Sequence, residues 1–146
     1  MPEPAKLVST GTMPAGATDE RSAARAVRGM FDEIAPRYDF VNHALSMNID
    51  RLWWRRASRT FTHILARDQA RVLDLCAGTG DMAVALRAVT ARGGRAGGGV
   101  RIYALDFSHP MLQHGLQKYA AKKIQPLEAD ALSLPLPDRS MDLVVS

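Results

Sequence analysis

Arg71-Val72-Leu73-Asp74-Leu75-Cys76-Ala77-Gly78-Thr79-Gly80-Asp81 constrains this chain more than any other stretch, because an apolar strand there runs into a glycine turn and then a helix. Val72, Leu73 and Leu75 form the unbroken apolar run of a strand covered on both faces, as in the parallel sheet of an α/β fold. Gly78 and Gly80 let the backbone bend sharply and approach a ligand where a Cβ would collide. Met82 to Val89 reads as helix, so the N–H groups of its first turn face whatever rests on the glycines. Such a turn is built to hold a nucleoside. Many α/β folds carry one with different ligands, so the other walls of the pocket decide the matter.

The second wall is Val100-Arg101-Ile102-Tyr103-Ala104-Leu105, a strand ending on Asp106, whose carboxylate can accept from both ribose hydroxyls. Such an acid usually follows the glycines by about 20 residues. Here the tract 91–99, with five glycines and no apolar period, is expected to be a flexible loop inserted between helix and strand. Asp106 could instead cap the next helix, but Pro110 at the first turn makes Ser108 the better cap and frees Asp106 for ribose. Phe107 and Met111 are either core or a surface for the adenine face. The third wall is a short strand through Leu127 and Glu128, then Asp130 and Ala131, a proline-marked loop, and a buried strand from Asp142 to Ser146. Asp130 can accept from an exocyclic amine and the Ala131 N–H can donate to a ring nitrogen, the pairing an adenine edge requires.

In this order the three walls resemble the class I S-adenosylmethionine-dependent methyltransferases. A second signature lies upstream, where Tyr38-Asp39-x-x-Asn42-x-x-Leu45-Ser46 is followed by Trp53. That spacing resembles the menaquinone and ubiquinone biosynthesis C-methyltransferases, and within them the demethylmenaquinone methyltransferase branch more than the ubiquinone-only one. Three departures stand out: Val41 where the family often has Met, Asp50 where it has His, and Cys76 where the wider motif favours glycine. The first is mild packing chemistry, the second changes local charge, and the third narrows the space beneath the ligand's amino acid portion.

The resemblance implies a Rossmann-like doubly wound sheet with an N-terminal helical lid. It covers residues 25–146 but little over half of the family's catalytic domain, whose later strands and Arg-Asn segment would follow Ser146. The expectation is therefore the N-terminal half only, with strands ordered 3-2-1-4 and the fourth strand a bare edge. The expected divisions are a disordered tail over 1–22, rich in Pro, Ala, Gly, Ser and Thr, a helical lid and substrate segment over 23–67, and a cofactor-binding half-domain over 68–146.

By that resemblance S-adenosyl-L-methionine is the cofactor, held by Asp74, Gly78, Thr79, Gly80, Asp106, Phe107, Asp130 and Ala131. Asp74 can also cap the turn backbone, a mixed role. Tyr38, Asp39 and Asn42 either stitch the N-terminal helices to the domain or form a lid over a quinol ring. The implied reaction is C-methylation of demethylmenaquinol or a related quinol. Asp39 and His43 are within reach of the proton in principle, and no catalytic residue is assigned. Two alternatives stay open, an inactive remnant or assembly partner and a methyltransferase for another small-molecule acceptor.

The net charge of +4 and a pI near 9.6 admit nucleic acid or an anionic membrane as partners, but much of the charge is scattered arginine, and no nucleic-acid partner is expected. Arg51, Arg55, Arg56 and Arg59 gather with Leu52, Trp53 and Trp54 on one amphipathic helix. That helix is either a solvated face or a peripheral contact with a membrane surface. No stretch nears the roughly 18 apolar residues of a spanning helix, and no signal-peptide core is seen, so the expected location is cytoplasmic, with contact at the inner membrane face and homo-oligomerisation left open. The single cysteine allows no internal disulfide. Cys76 is either a nucleophile or a small residue lining the cofactor floor. His43, His63, His109 and His114 fall on different elements, so no metal site is expected.

Overall fold

A computed structural model of the protein describes residues 18–19, 22–23, 25–30, 33, 49–92 and 99–146. Beyond helical residues 25–30, the described elements before strand β1 (Arg71–Leu75) are the helices α1 (Ile49–Thr60) and α2 (Thr62–Leu65). Then come α3 (Asp81–Arg92), β2 (Arg101–Asp106), α4 (His109–Lys122), β3 (Ile124–Glu128) and β4 (Leu143–Val145). The strands form one parallel sheet in the order β3-β2-β1-β4, the order expected from the sequence.

The sheet has this centre because β1 can be covered on every side. Val72 and Leu73 are 0% and 1% exposed, and each such side chain contributes about 1.5–3 kcal/mol by leaving water. Leu86 of α3, Ile102 and Ala104 of β2, and Leu112 and Tyr119 of α4 close one core with Val72. β3 is the outermost strand on its side. Pro126, which has no N–H for a ladder, is exposed there, as suits an edge. β4 is fastened to β1 at its entry, where the Arg71 N–H donates to Asp142 Oδ2 and the Asp142 N–H donates to the Arg71 carbonyl, both at 2.8 Å.

Some boundaries differ from expectation. α3 continues through Ala91 and Arg92, two residues into the tract expected to be loop. Thr90, which breaks the apolar pattern, is buried and turns its hydroxyl onto the Arg87 carbonyl at 2.8 Å, so the helix passes a residue that looks polar in sequence. Residues 93–98 lie outside the described residues, as do 1–17 of the expected tail. Within that tail, the Ser22 N–H donates to Asp19 Oδ1 while Ser22 Oγ accepts from the Asp19 N–H at 3.0 Å, a reciprocal helix start.

Arg87 holds the far end of α4. Its guanidinium donates to the carbonyls of Lys122, Lys123 and Val100 at 3.0, 2.9 and 2.9 Å. Lys123 ends that helix in a left-handed conformation at φ 53°, and a cation beside the terminal carbonyls offsets their partial negative charge. Arg87→Met should cost about 2 kcal/mol, read as a lower urea midpoint at unchanged denaturant slope.

Candidate functional site

β1 delivers Asp74 and the glycine turn to the end of the sheet where its parallel strands finish. The turn takes three left-handed steps, at Cys76 (φ 58°), Gly78 (φ 56°) and Gly80 (φ 86°). Two of these suit glycine. Cys76 bears a side chain in a conformation costing roughly 1–2 kcal/mol. Cys76→Gly should therefore raise stability by up to about 1 kcal/mol, the larger unfolded-state entropy of glycine offsetting the rest, measurable as a higher thermal midpoint.

Asp106 ties the three walls together. Its Oδ2 accepts from the Gly78 N–H at 2.8 Å, its Oδ1 accepts from the Ser108 N–H at 2.9 Å, and its carbonyl accepts from the Ala129 N–H at 3.0 Å. The expectation was that Ser108, and not Asp106, caps the next helix. Ser108 does cap α4, accepting from the Met111 N–H at 3.5 Å, yet the Asp106 carboxylate is fastened at both oxygens. The residue is 6% exposed, and a carboxylate so placed has to be hydrogen-bonded. Two bonds leave lone pairs over, since an ionised carboxylate accepts at about four positions. Asp106 is thus a fixed acceptor.

Asp74 lies deeper, 3% exposed, and accepts from the Ala83 N–H at 2.9 Å. It caps the first turn of α3 from the neighbouring strand, the structural half of the mixed role expected for it. Burial pushes its carboxyl up to about 7, with Asp106 and Asp81 adding to the rise and the Ala83 N–H opposing it. Partial desolvation raises the thiol of Cys76, itself an exposed residue, and the charges of Asp106, Asp74 and Asp130 raise it further against a lowering hydrogen bond with Ser146. The turn thus opens into a negative field. That field repels a phosphate and attracts a cation.

The remaining expected residues surround this centre. Asp130 folds back on its own chain, its Oδ1 accepting from the Leu132 N–H at 2.9 Å, which presents Ala131 at the start of the loop. Phe107 is half-buried, and the Arg28 guanidinium from helical residues 25–30 lies 5.6 Å from its ring centroid, a cation–π distance. Thr79 is buried. A Cβ on Gly78 would meet nothing within 4 Å, so this glycine borders open space, into which a ligand can approach the backbone. Tyr38, Asp39, Asn42 and His43 lie outside the described residues.

The sequence pattern missed the part α4 plays. Tyr119, 1% exposed, passes its ring between Gly80 and Gly115 and donates its hydroxyl to the Gly78 carbonyl at 2.8 Å. Its neighbour Lys118 donates to Thr79 Oγ1 at 3.2 Å and pairs with Asp81 at 3.0 Å. One signal was available. Gly115 stands inside a helix four residues before Tyr119, and a mid-helix glycine costs about 1 kcal/mol unless something packs on it.

A family model described as the ubiE/COQ5 methyltransferase family matches residues 17–146. Demethylmenaquinone methyltransferases from Deinococcus radiodurans and Thermus thermophilus are each 41% identical, over 128 and 117 residues, covering 86% and 79% of this chain and 49% of each relative. A ubiquinone/menaquinone biosynthesis C-methyltransferase from Geotalea daltonii is 38% identical over 122 residues, covering 81% of this chain and 48% of its own length. The chain spans about half the length of the curated relatives it matches. Among solved structures, one from Methanococcus maripaludis assigned as an S-adenosyl-L-methionine-dependent methyltransferase shares the fold with a TM-score of 0.54 at 20% identity, covering 92% of this chain and 52% of that one. A chain from the Haloferax volcanii complex of a methyltransferase with its activator also aligns with a TM-score of 0.54, at 26% identity over 78% of this chain and 45% of that one.

Proposed function

This chain belongs to the ubiE/COQ5 methyltransferase family, and we propose that it carries the S-adenosyl-L-methionine-binding half of an enzyme that methylates a ring carbon of demethylmenaquinol or a related quinol. The observation that carries this reading is the open space at Gly78 in a glycine turn fastened by Asp106, in the negative field of Asp74, Asp106 and Asp130. A sulfonium cofactor with an ammonium group fits that field, and a dinucleotide pyrophosphate does not.

In this proposal Asp106, its carboxylate fixed by the Gly78 and Ser108 N–H groups, accepts from the ribose hydroxyls with its remaining lone pairs. Asp130 and the Ala131 N–H address the adenine edge, and Phe107 lies against its face. Gly78, Thr79 and Gly80 lie along the amino acid end, with Asp74 behind them. When bound, the cofactor supplies a methyl group that is already electrophilic. The chain's own task is to hold the acceptor carbon in line with that methyl and to keep water out. A quinol ring becomes nucleophilic at carbon when its hydroxyl gives up a proton. Tyr38, Asp39 and Asn42 enter the proposal as lid residues over that ring. The reaction is placed in the cytoplasm, where such a substrate is met at the membrane face.

Calorimetric titration of the 146-residue chain with S-adenosyl-L-methionine tests the cofactor half. Binding is expected for the wild type and its loss for Gly78→Leu, which fills the space over the turn. No binding by the wild type would overturn the reading. A gain of one methyl by demethylmenaquinol incubated with the chain and S-adenosyl-L-methionine, followed by mass, tests the acceptor.

A further inference from the structure

α1 leaves two large apolar side chains in solvent. It packs on α3, yet its most buried described side chain is Ser58, 1% exposed, with its hydroxyl on the Arg55 carbonyl at 3.2 Å. At about 100° per residue, Leu52, Arg56 and Arg59 follow one another on the opposite side with Trp53 beside them. Leu52 is 66% exposed and Trp53 71%. A surface helix ordinarily buries its large apolar residues and shows its small polar ones. This helix half-buries Trp54 on the Ser58 side but leaves Leu52 and Trp53 in solvent.

The outward ridge is also strongly basic. Arg56 and Arg59 on it are exposed, and Asp50 is the sole acid in the sequence of α1. Tryptophan and leucine between arginines suit the boundary of a bilayer, where the rings and aliphatic chains enter the headgroup region and guanidinium groups meet phosphate. At 12 residues the helix is roughly 18 Å long. It can lie in the interface, and no described helix is long and apolar enough to cross a membrane. A second copy fits poorly, because a two-fold contact would set this cationic face against itself.

We propose that the outer face of α1 docks on an anionic phospholipid surface, with Leu52 and Trp53 inserted and Arg56 and Arg59 on the headgroup phosphates. Its purpose rests on the functional reading above, since a lipophilic quinol is drawn from a bilayer. Lipid binding itself needs neither cofactor nor quinol.

The test is sedimentation of the 146-residue chain with phosphatidylcholine vesicles, with and without phosphatidylglycerol. Binding is expected to the anionic vesicles, to weaken with salt, and to fall at least tenfold in the pair Leu52→Ser and Trp53→Ser and in the pair Arg56→Glu and Arg59→Glu. Lys122→Glu with Arg101→Glu removes the same charge elsewhere and should bind as the wild type does, and the circular dichroism of every variant should be unchanged. A lipid-induced blue shift in tryptophan fluorescence should vanish in Trp53→Phe. Equal binding to neutral vesicles, equal loss in the control pair, no binding to anionic vesicles, or self-association abolished by the ridge variants would each overturn the proposal. Loss of lipid binding with S-adenosyl-L-methionine binding intact removes this surface alone. The converse removes the cofactor reading alone.

Discussion

Gly80→Ala should destabilise the protein by about 4 kcal/mol, a large part of the roughly 5–15 kcal/mol that holds a domain folded. A Cβ at Gly80 overlaps Tyr119 Cε1 and falls 2.9 Å from Cζ and 3.0 Å from the hydroxyl oxygen. The ring cannot retreat. It is 1% exposed, a Cβ on Gly115 would approach its Cζ to 2.6 Å on the other side, and its hydroxyl is held by the Gly78 carbonyl. Overpacking costs about 1–3 kcal/mol, and a side chain at φ 86° adds roughly 1–2 more. Denaturant unfolding gives the cost directly, and a double-mutant cycle separates its parts. In a Tyr119→Leu background the same substitution should cost only the backbone share, about 1–2 kcal/mol. An equal cost in both backgrounds would show that the ring is not what Gly80 serves. Gly115→Ala should cost less than Gly80→Ala, because alanine returns about 1 kcal/mol of helix propensity.

The contrast between Gly78 and Gly80 marks where the sequence stopped being legible. Both announce a turn, and both take positive φ, but one borders open space and the other is filled by a ring 39 residues further on. Local pattern carries the first kind of information. β1 and β2 follow from short apolar runs and from glycines that stop them, which are nearest-neighbour effects, whereas the sheet order came from the doubly wound fold that the resemblance implied. Asp106 shows the limit from the other side. The cap at Ser108 was legible from Pro110, whereas the bond from Asp106 to the Gly78 N–H crosses 28 positions and exists only once β1 and β2 are paired. The exposed face of α1 was legible in part. Its sequence shows Trp and Arg together, but which side meets α3 is decided by packing, and Ser58 there gave no apolar signal.

Asp74 should make the protein less stable as pH rises from about 4 to about 7. In the folded chain its carboxyl is raised to about 7 by burial foremost and by Asp106 and Asp81, against 3.8 for the free side chain. Between these values the folded state holds a proton that the unfolded state has lost, so the stability this group contributes is complete below pH 4 and gone above pH 7. At 1.36 kcal/mol per pH unit the span is worth about 4 kcal/mol. Asp74→Asn keeps an oxygen for the Ala83 N–H but carries no charge to desolvate. Its stability relative to the wild type should therefore climb by about 4 kcal/mol across that window, followed as denaturant midpoints at a series of pH values. A difference that stays flat would mean the buried carboxyl ionises as an ordinary one. The same charge has a use under the proposed function. A cation bound over the turn stabilises the ionised form, so cofactor affinity should rise with pH to about 7 in the wild type and be weaker and pH-independent in Asp74→Asn. A buried acid that lowers stability at neutral pH while strengthening a cationic ligand's hold is the trade expected of a binding site rather than of a core.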